Sequence, residues 1–181
     1  TISLSDNNFF ISSKDKFLLT LLNSKVIFYF LKSIASTLQG GYLDFRRPYI
    51  EQIPIKSTDD SNKLIFEEKG ELLLSLNKKF QEKSDKFKRI LQRKFEIEKH
   101  PKKLQDWYLL TFSEFIKELT KQKVKLSLTE ELEWEEFFTQ ESKKVLELKS
   151  SIDKTDKEID MMVYELYGLT GEEIKIIEDL N

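Results

Sequence analysis

The sequence has no cysteine, one histidine, three prolines and five glycines in 181 residues. Without cysteine there is no disulfide framework and no thiolate metal site, and a reducing cytoplasm is the expected location. The lone His100 leaves a catalytic triad or a histidine-based metal centre without its second member; standing before Pro101, it reads as a surface turn residue. So few glycines and prolines argue against a sandwich or barrel, whose many turns need them. No phosphate-cradling loop is visible, because Gly40-Gly41 is the one glycine pair and no Gly-Lys-Ser/Thr follows it. The apolar run from Phe17 to Leu31 is interrupted by Asn23, Ser24 and Lys25 and is too short to span a bilayer, so no membrane partner is expected. The chain opens on Thr1 with neither an initiator methionine nor a basic leader, and is expected to be a piece of a longer protein.

What is present is charge and helical periodicity. Charged residues make up 34% of the chain, hydrophobic residues 39%, and 14 phenylalanines can fill a core. The net charge of −2 conceals a division: residues 1–104 hold 20 Lys/Arg against 13 Asp/Glu, and residues 105–181 hold 10 against 19. A basic half facing a polyanion explains that division; so does an accidental partition of solvated helix faces.

The expected fold is α+β and predominantly α-helical. One or two short strands are placed within residues 1–12 around Asp6-Asn7-Asn8. Ser12 and Asp15 have the spacing of a capping box, opening a largely buried helix over about residues 14–38. Its polar stripe is narrow, with Lys25, Tyr29, Lys32, Ser36 and Gln39 recurring at threes and fours. The segment Val26–Leu31 alone also fits a strand. Gly40-Gly41 should end this helix.

Two long helices follow, over about residues 60–99 and from Ser127 or Thr129 to Gly168. The first seam runs Leu73, Leu76, Phe80, Lys83, Phe87, Ile90, Lys94, Ile97. The second runs Trp134, Phe138, Glu141, Val145, Leu148, Ile152, Thr155, Ile159, Met162, Leu166. Heptad spacing of this kind predicts an antiparallel coiled-coil hairpin within one chain, hence a monomer. A shorter helix at about residues 102–121 provides the return, and Thr170 with Glu173 boxes a last one. The division expected is residues 1–57, which hold the candidate binding segment, and the helical residues 58–181.

No catalytic residue is assigned, and no metal site. Glu147-Leu148-Lys149 and Glu173-Ile174-Lys175 match the Glu-x-Lys of metal nucleases only as any Lys/Glu-rich helix does. The carboxylates from Asp153 to Asp160 space as a solvated helix face. The exception to the helical pattern is LQGGYLDFRRPYIEQIPI, residues 38–55, which gathers two glycines, two of the three prolines, two tyrosines and two adjacent arginines. Arg46 and Arg47 offer forked donors suited to phosphate or guanine edges, Gln52 could read adenine, and Gly41 and Tyr42 offer close backbone approach and a flat face. A loop that plugs the core with its aromatics and leaves its arginines solvated is the other reading of the same residues.

The stretch from Leu22 to Ile55 also resembles the C-terminal, TaqI-like specificity region of type IIG restriction–modification enzymes. The resemblance lies in Leu22-Asn23-Ser24-Lys25, the Gly40-Gly41 turn, and Tyr49, Gln52, Ile53, Pro54 and Ile55. The tail is similar to that family's closing helix, through Ile159, Asp160, Val163 to Thr170, and Glu172 to Ile174. The resemblance implies a parent that methylates adenine with S-adenosylmethionine and cuts nearby with Mg, through an N-terminal methyltransferase and nuclease part. This piece would carry no cofactor of its own and would recognise double-stranded DNA. Lys25, Lys32, Gly41, Tyr42, Arg46, Arg47 and Gln52 are the candidate contacts. A type I specificity subunit and a helical scaffold without a nucleic-acid role are the alternatives.

Overall fold

The computed structural model describes residues 15–36, 46–97 and 101–179. Helices α1 (Lys16–Leu22), α2 (Lys25–Ile34), α3 (Arg47–Ile50), α4 (Asp60–Phe95), α5 (Lys102–Gln105), α6 (Phe112–Lys121), α7 (Leu128–Tyr167) and α8 (Gly171–Glu178) succeed one another, with a 3-10 turn at Trp107–Leu109. No strand occurs among the described residues. The short strands expected within residues 1–12, the Gly40-Gly41 helix stop and His100 lie outside them.

The chain divides into two compact units. One combines Thr1–Leu73 with Thr155–Asn181, and the other is Leu74–Lys154. A boundary after residue 57 is therefore not where packing divides the chain, because α4 and α7 each contribute to both units.

In the Leu74–Lys154 unit, Phe87, Leu91, Trp107, Phe115, Leu119, Trp134, Phe138 and Val145 form the core. Phe87 stacks on Trp107 with ring centroids 3.6 Å apart and also on Phe137 at 5.6 Å. Phe95 meets Trp134 further along α4, so the two long helices run antiparallel here. The hairpin with its helical return, as expected from the sequence, is refined in one respect. Side chains of the 3-10 turn and α6 enter the seam, so the return segment is part of the core. Aromatic rings too large for a two-helix seam account for this, since they need a third wall to be covered. The first seam shifts accordingly: Leu91 is fully buried while Lys94 is exposed.

In the other unit α4 and α7 are again antiparallel, with Lys69 paired to Glu158 at 2.5 Å and residues 62–66 facing residues 162–166 across a shallow cleft. Phe17, Leu21, Val26, Ile27, Leu31, Phe66, Ile159, Val163, Tyr164 and Ile177 make its core. All ten positions of the α7 seam are buried or half-buried. Ser127 with Glu130 opens α7, Gly168 at φ 67 closes it, and the Thr170–Glu173 box starts α8.

Candidate nucleic-acid interface

The single helix expected over residues 14–38 is two helices bent by 60°. Asp15, read as the third helical position, is itself the N-cap of α1, its carboxylate accepting from the Leu18 N–H at 3.0 Å. The break is made by Asn23 and Ser24. The Asn23 side-chain amide donates to the Leu19 carbonyl at 2.8 Å, and the Ser24 hydroxyl to the Leu21 carbonyl at 2.7 Å. Short polar side chains that bond back in this way offer the backbone an alternative to the next helical turn. Ser24 is extended and buried, and α2 starts afresh at Lys25. The pair is also less enclosed than its composition implies, since Leu19 and Phe28 stay exposed. Among the described residues no single helix is long and apolar enough to cross a membrane.

The new helix start is capped from a distance. The Lys25 N–H donates to Asp160 Oδ1 at 2.9 Å, so a carboxylate on α7 does the work that an N-cap side chain ordinarily does. The Lys25 ammonium bonds Glu178 Oε2 at 2.5 Å and lies 3.7 Å from Asp160 Oδ2. The Tyr164 hydroxyl donates to Glu178 Oε1 at 2.6 Å. Burial pushes the Asp160 carboxyl above the usual carboxylate range, against the Lys25 N–H and charge that pull it down. The Lys25 ammonium, then the Tyr164 hydroxyl, hold Glu178 below its ordinary value. Glu178 in turn raises the Lys25 pKa.

Asp160 is thus not one more acid of a solvated helix face but a buried one with partners. The described part of the expected polar stripe is divided between protein and solvent. Lys25 meets Asp160 and Glu178, Tyr29 packs on the core, and Ser36 accepts a 3.0 Å hydrogen bond from the Tyr49 hydroxyl. Lys32 is exposed on the same helix.

The residues after Arg46 form a one-turn helix with Pro48 in its first turn, a position where a missing N–H costs nothing. Tyr49, Ile50 and Ile53 pack against the core. Arg46, Arg47 and Gln52 remain exposed. Arg47 Nε donates to Glu51 Oε1 at 2.6 Å, and the Gln52 amide donates to the Pro48 carbonyl at 2.7 Å. An exposed pair of this kind exchanges readily for a stronger anion. Downstream, the Tyr167 hydroxyl donates to the Pro54 carbonyl at 2.5 Å. Three candidates therefore share one anchored surface turn, Lys32 stands on the helix packed beside it, and Lys25 is drawn into the buried network. Gly41 and Tyr42 lie outside the described residues.

Sequence reasoning did not find the roles of Asp160, Tyr164, Tyr167 and Glu178. The spacing of the first three, at i, i+4 and i+7, places them on one helix face and was the available signal. Among the described residues no group of His, Asp and Glu is arranged to hold a metal ion.

Residues 2–55 match the TaqI-like C-terminal specificity domain, a specificity domain of restriction–modification enzymes. Residues 59–163 match the family described as a domain of unknown function (DUF8810), and the chain, more than half of which is covered, belongs to that family. No curated protein and no solved structure matches the chain.

Proposed function

We propose that this chain is the later part of the target-recognition region of a type IIG-like restriction–modification enzyme, joined to its helical spacer. The observation that carries the reading is the specificity-domain match at residues 2–55, combined with Arg46, Arg47 and Gln52 exposed on a turn anchored by Tyr49, Ile50 and Ile53. Phosphate contacts fix register on a duplex, and a few side chains at base edges specify sequence. Arg46 and Arg47 suit guanine or phosphate, Gln52 suits adenine, and Lys32 suits phosphate. Gly41 and Tyr42 stay in the proposal on chemistry alone. Lys25 contributes chiefly by holding α2, since its ammonium already serves two carboxylates.

In this reading an N-terminal methyltransferase and nuclease part supplies adenine methylation and cleavage, with S-adenosylmethionine and Mg bound there. The present piece works as a cytoplasmic monomer that grips and identifies DNA. The test is selection of a randomised duplex library with the purified chain, read at low and raised salt. Enrichment of a short motif, with affinity falling steeply as salt rises, supports the reading. No enrichment, with no retention of any duplex at low salt, overturns it in favour of a helical scaffold.

A further inference from the structure

Two stretches far apart in the chain meet on one face of α7. Asp160 and Tyr167 are seven residues apart, which sets them on the same side of a helix about two turns from each other. Asp160 receives the Lys25 N–H at the start of α2. Tyr167 donates to the Pro54 carbonyl just beyond α3, and the Lys56 N–H reaches the same phenol oxygen at 3.4 Å. In the chain, Arg46, Arg47 and Gln52 lie between these two held points. Tyr164, one turn from Asp160, bonds Glu178, which grips the Lys25 ammonium, so α8 is tied into the same frame.

We infer that Asp160 and Tyr167 are positioning residues for DNA recognition: α7 holds Lys25 and Pro54 and so sets how residues 46–52 are presented to a duplex. The inference rests on the recognition reading above. Its physical basis is the tolerance of base readout. A bidentate arginine contact requires its side chain within about 0.5 Å of the productive position. A surface turn meets that requirement only if its flanks are fixed before binding, since ordering them on binding would cost affinity. Packing of Tyr49, Ile50 and Ile53 supplies the depth of the turn; of the two polar contacts, one fixes the start of α2, which packs on α3, and the other fixes the end of the turn at Pro54.

The simpler account is that both contacts only stabilise the fold. The two accounts separate in the full 181-residue chain carrying Asp160→Ala, Asp160→Asn or Tyr167→Phe. Asn keeps an oxygen for the Lys25 N–H, and Phe keeps the ring while losing the donor. Hydrogen exchange of the α2 and residue 54–56 amides is measured beside binding of the duplex that the wild-type chain enriches. Exchange at Phe66 and Val163, core residues of the unit that holds both substitutions, reports whether each variant is folded. The expected result is about tenfold faster exchange at Lys25 in Asp160→Ala, the scale of one lost cap hydrogen bond. Binding should fall and sequence preference should broaden in Asp160→Ala and Tyr167→Phe, while Asp160→Asn lies nearer to wild type. Faster exchange with unchanged affinity and preference overturns the inference and leaves a structural role; unchanged exchange overturns it at its premise. A wild-type chain that enriches no duplex overturns the recognition reading itself, an outcome distinct from both.

Discussion

The Thr20 hydroxyl oxygen stands 2.0 Å from the place a β-carbon on Gly70 would occupy. That hydroxyl donates to the Lys16 carbonyl at 2.8 Å and lies 3.3 Å from the Phe66 carbonyl, so Thr20 is not free to rotate away. Gly70 is in the interior of α4, where glycine is ordinarily a poor choice by ~1 kcal/mol relative to alanine. The close approach of α1 explains it. Gly70→Ala should therefore destabilise the protein by about 1–3 kcal/mol in chemical denaturation, as overpacking does. In a Thr20→Ala background the same substitution should become neutral or favourable by up to ~1 kcal/mol. A stabilising Gly70→Ala in the otherwise native chain would show that the helices separate at little cost.

The aromatic stack in the other unit gives a second prediction. Trp107 is fully buried against Phe87, and its indole N–H has no hydrogen-bond partner among the described residues. Trp107→Ala should cost about 3–5 kcal/mol, the range for emptying an aromatic site in a core. A double-mutant cycle with Phe87→Ala should return a coupling of about 0.5–1.5 kcal/mol beyond simple burial. Additive losses would mean that the rings share a core without interacting specifically.

Glu178 sets a pH dependence. Its folded pKa lies below the unfolded value of 4.5, because the Lys25 ammonium and the Tyr164 hydroxyl favour the carboxylate. A depressed carboxylate pKa contributes stability that is present above the unfolded value and lost as pH falls through the folded one. Wild type should exceed Glu178→Gln in stability at neutral pH, and the gap should close below pH 4.5. Asp160, raised by burial, has the opposite sign: its shift contributes stability below 3.8 that is lost as pH rises through the folded value. A gap between wild type and Glu178→Gln that is constant from neutral to acid pH would remove the ion pair from the account.

The arginines divide by mode of contact. If Arg46 or Arg47 forks onto a guanine, its alanine variant should lose about 1–3 kcal/mol and relax one base position. A phosphate contact should instead weaken all duplexes alike and reduce the salt slope by about one. Folding stability should barely change for Arg47→Ala, because its pairing with Glu51 is exposed to solvent and screened by it. Wild-type binding and preference in both variants would return them to ordinary surface charge.

Several features were legible in the sequence because their causes are local. The Thr170–Glu173 box, the Ser127 start and the Gly168 stop each depend on groups three or four residues apart, and all three are observed. The α7 seam was equally readable, since burial follows helical spacing wherever a helix packs along its length. The anchoring of the surface turn at residues 46–52 by Tyr49 and Ile53 lay in the segment already singled out for its composition.

What the sequence could not decide were choices between equally good local options. Leu21 to Leu31 reads as continuous helix, and Asn23-Ser24 breaks it because Asp160, 135 residues from Lys25, is there to satisfy the new N-terminus. Asp160 itself has the spacing of a solvated acid; only the approach of α2 makes it a buried cap. The seam passes to Leu91 rather than Lys94 because rings from the 3-10 turn and α6 fill that side of α4. The specificity-domain match ends at residue 55 and the second family begins at 59, yet packing joins residues from both across α7 and α8. Helical periodicity is written into neighbouring residues, whereas the partner of a lysine or the end of a helix is settled by whichever distant group arrives with the matching charge or hydrogen bond.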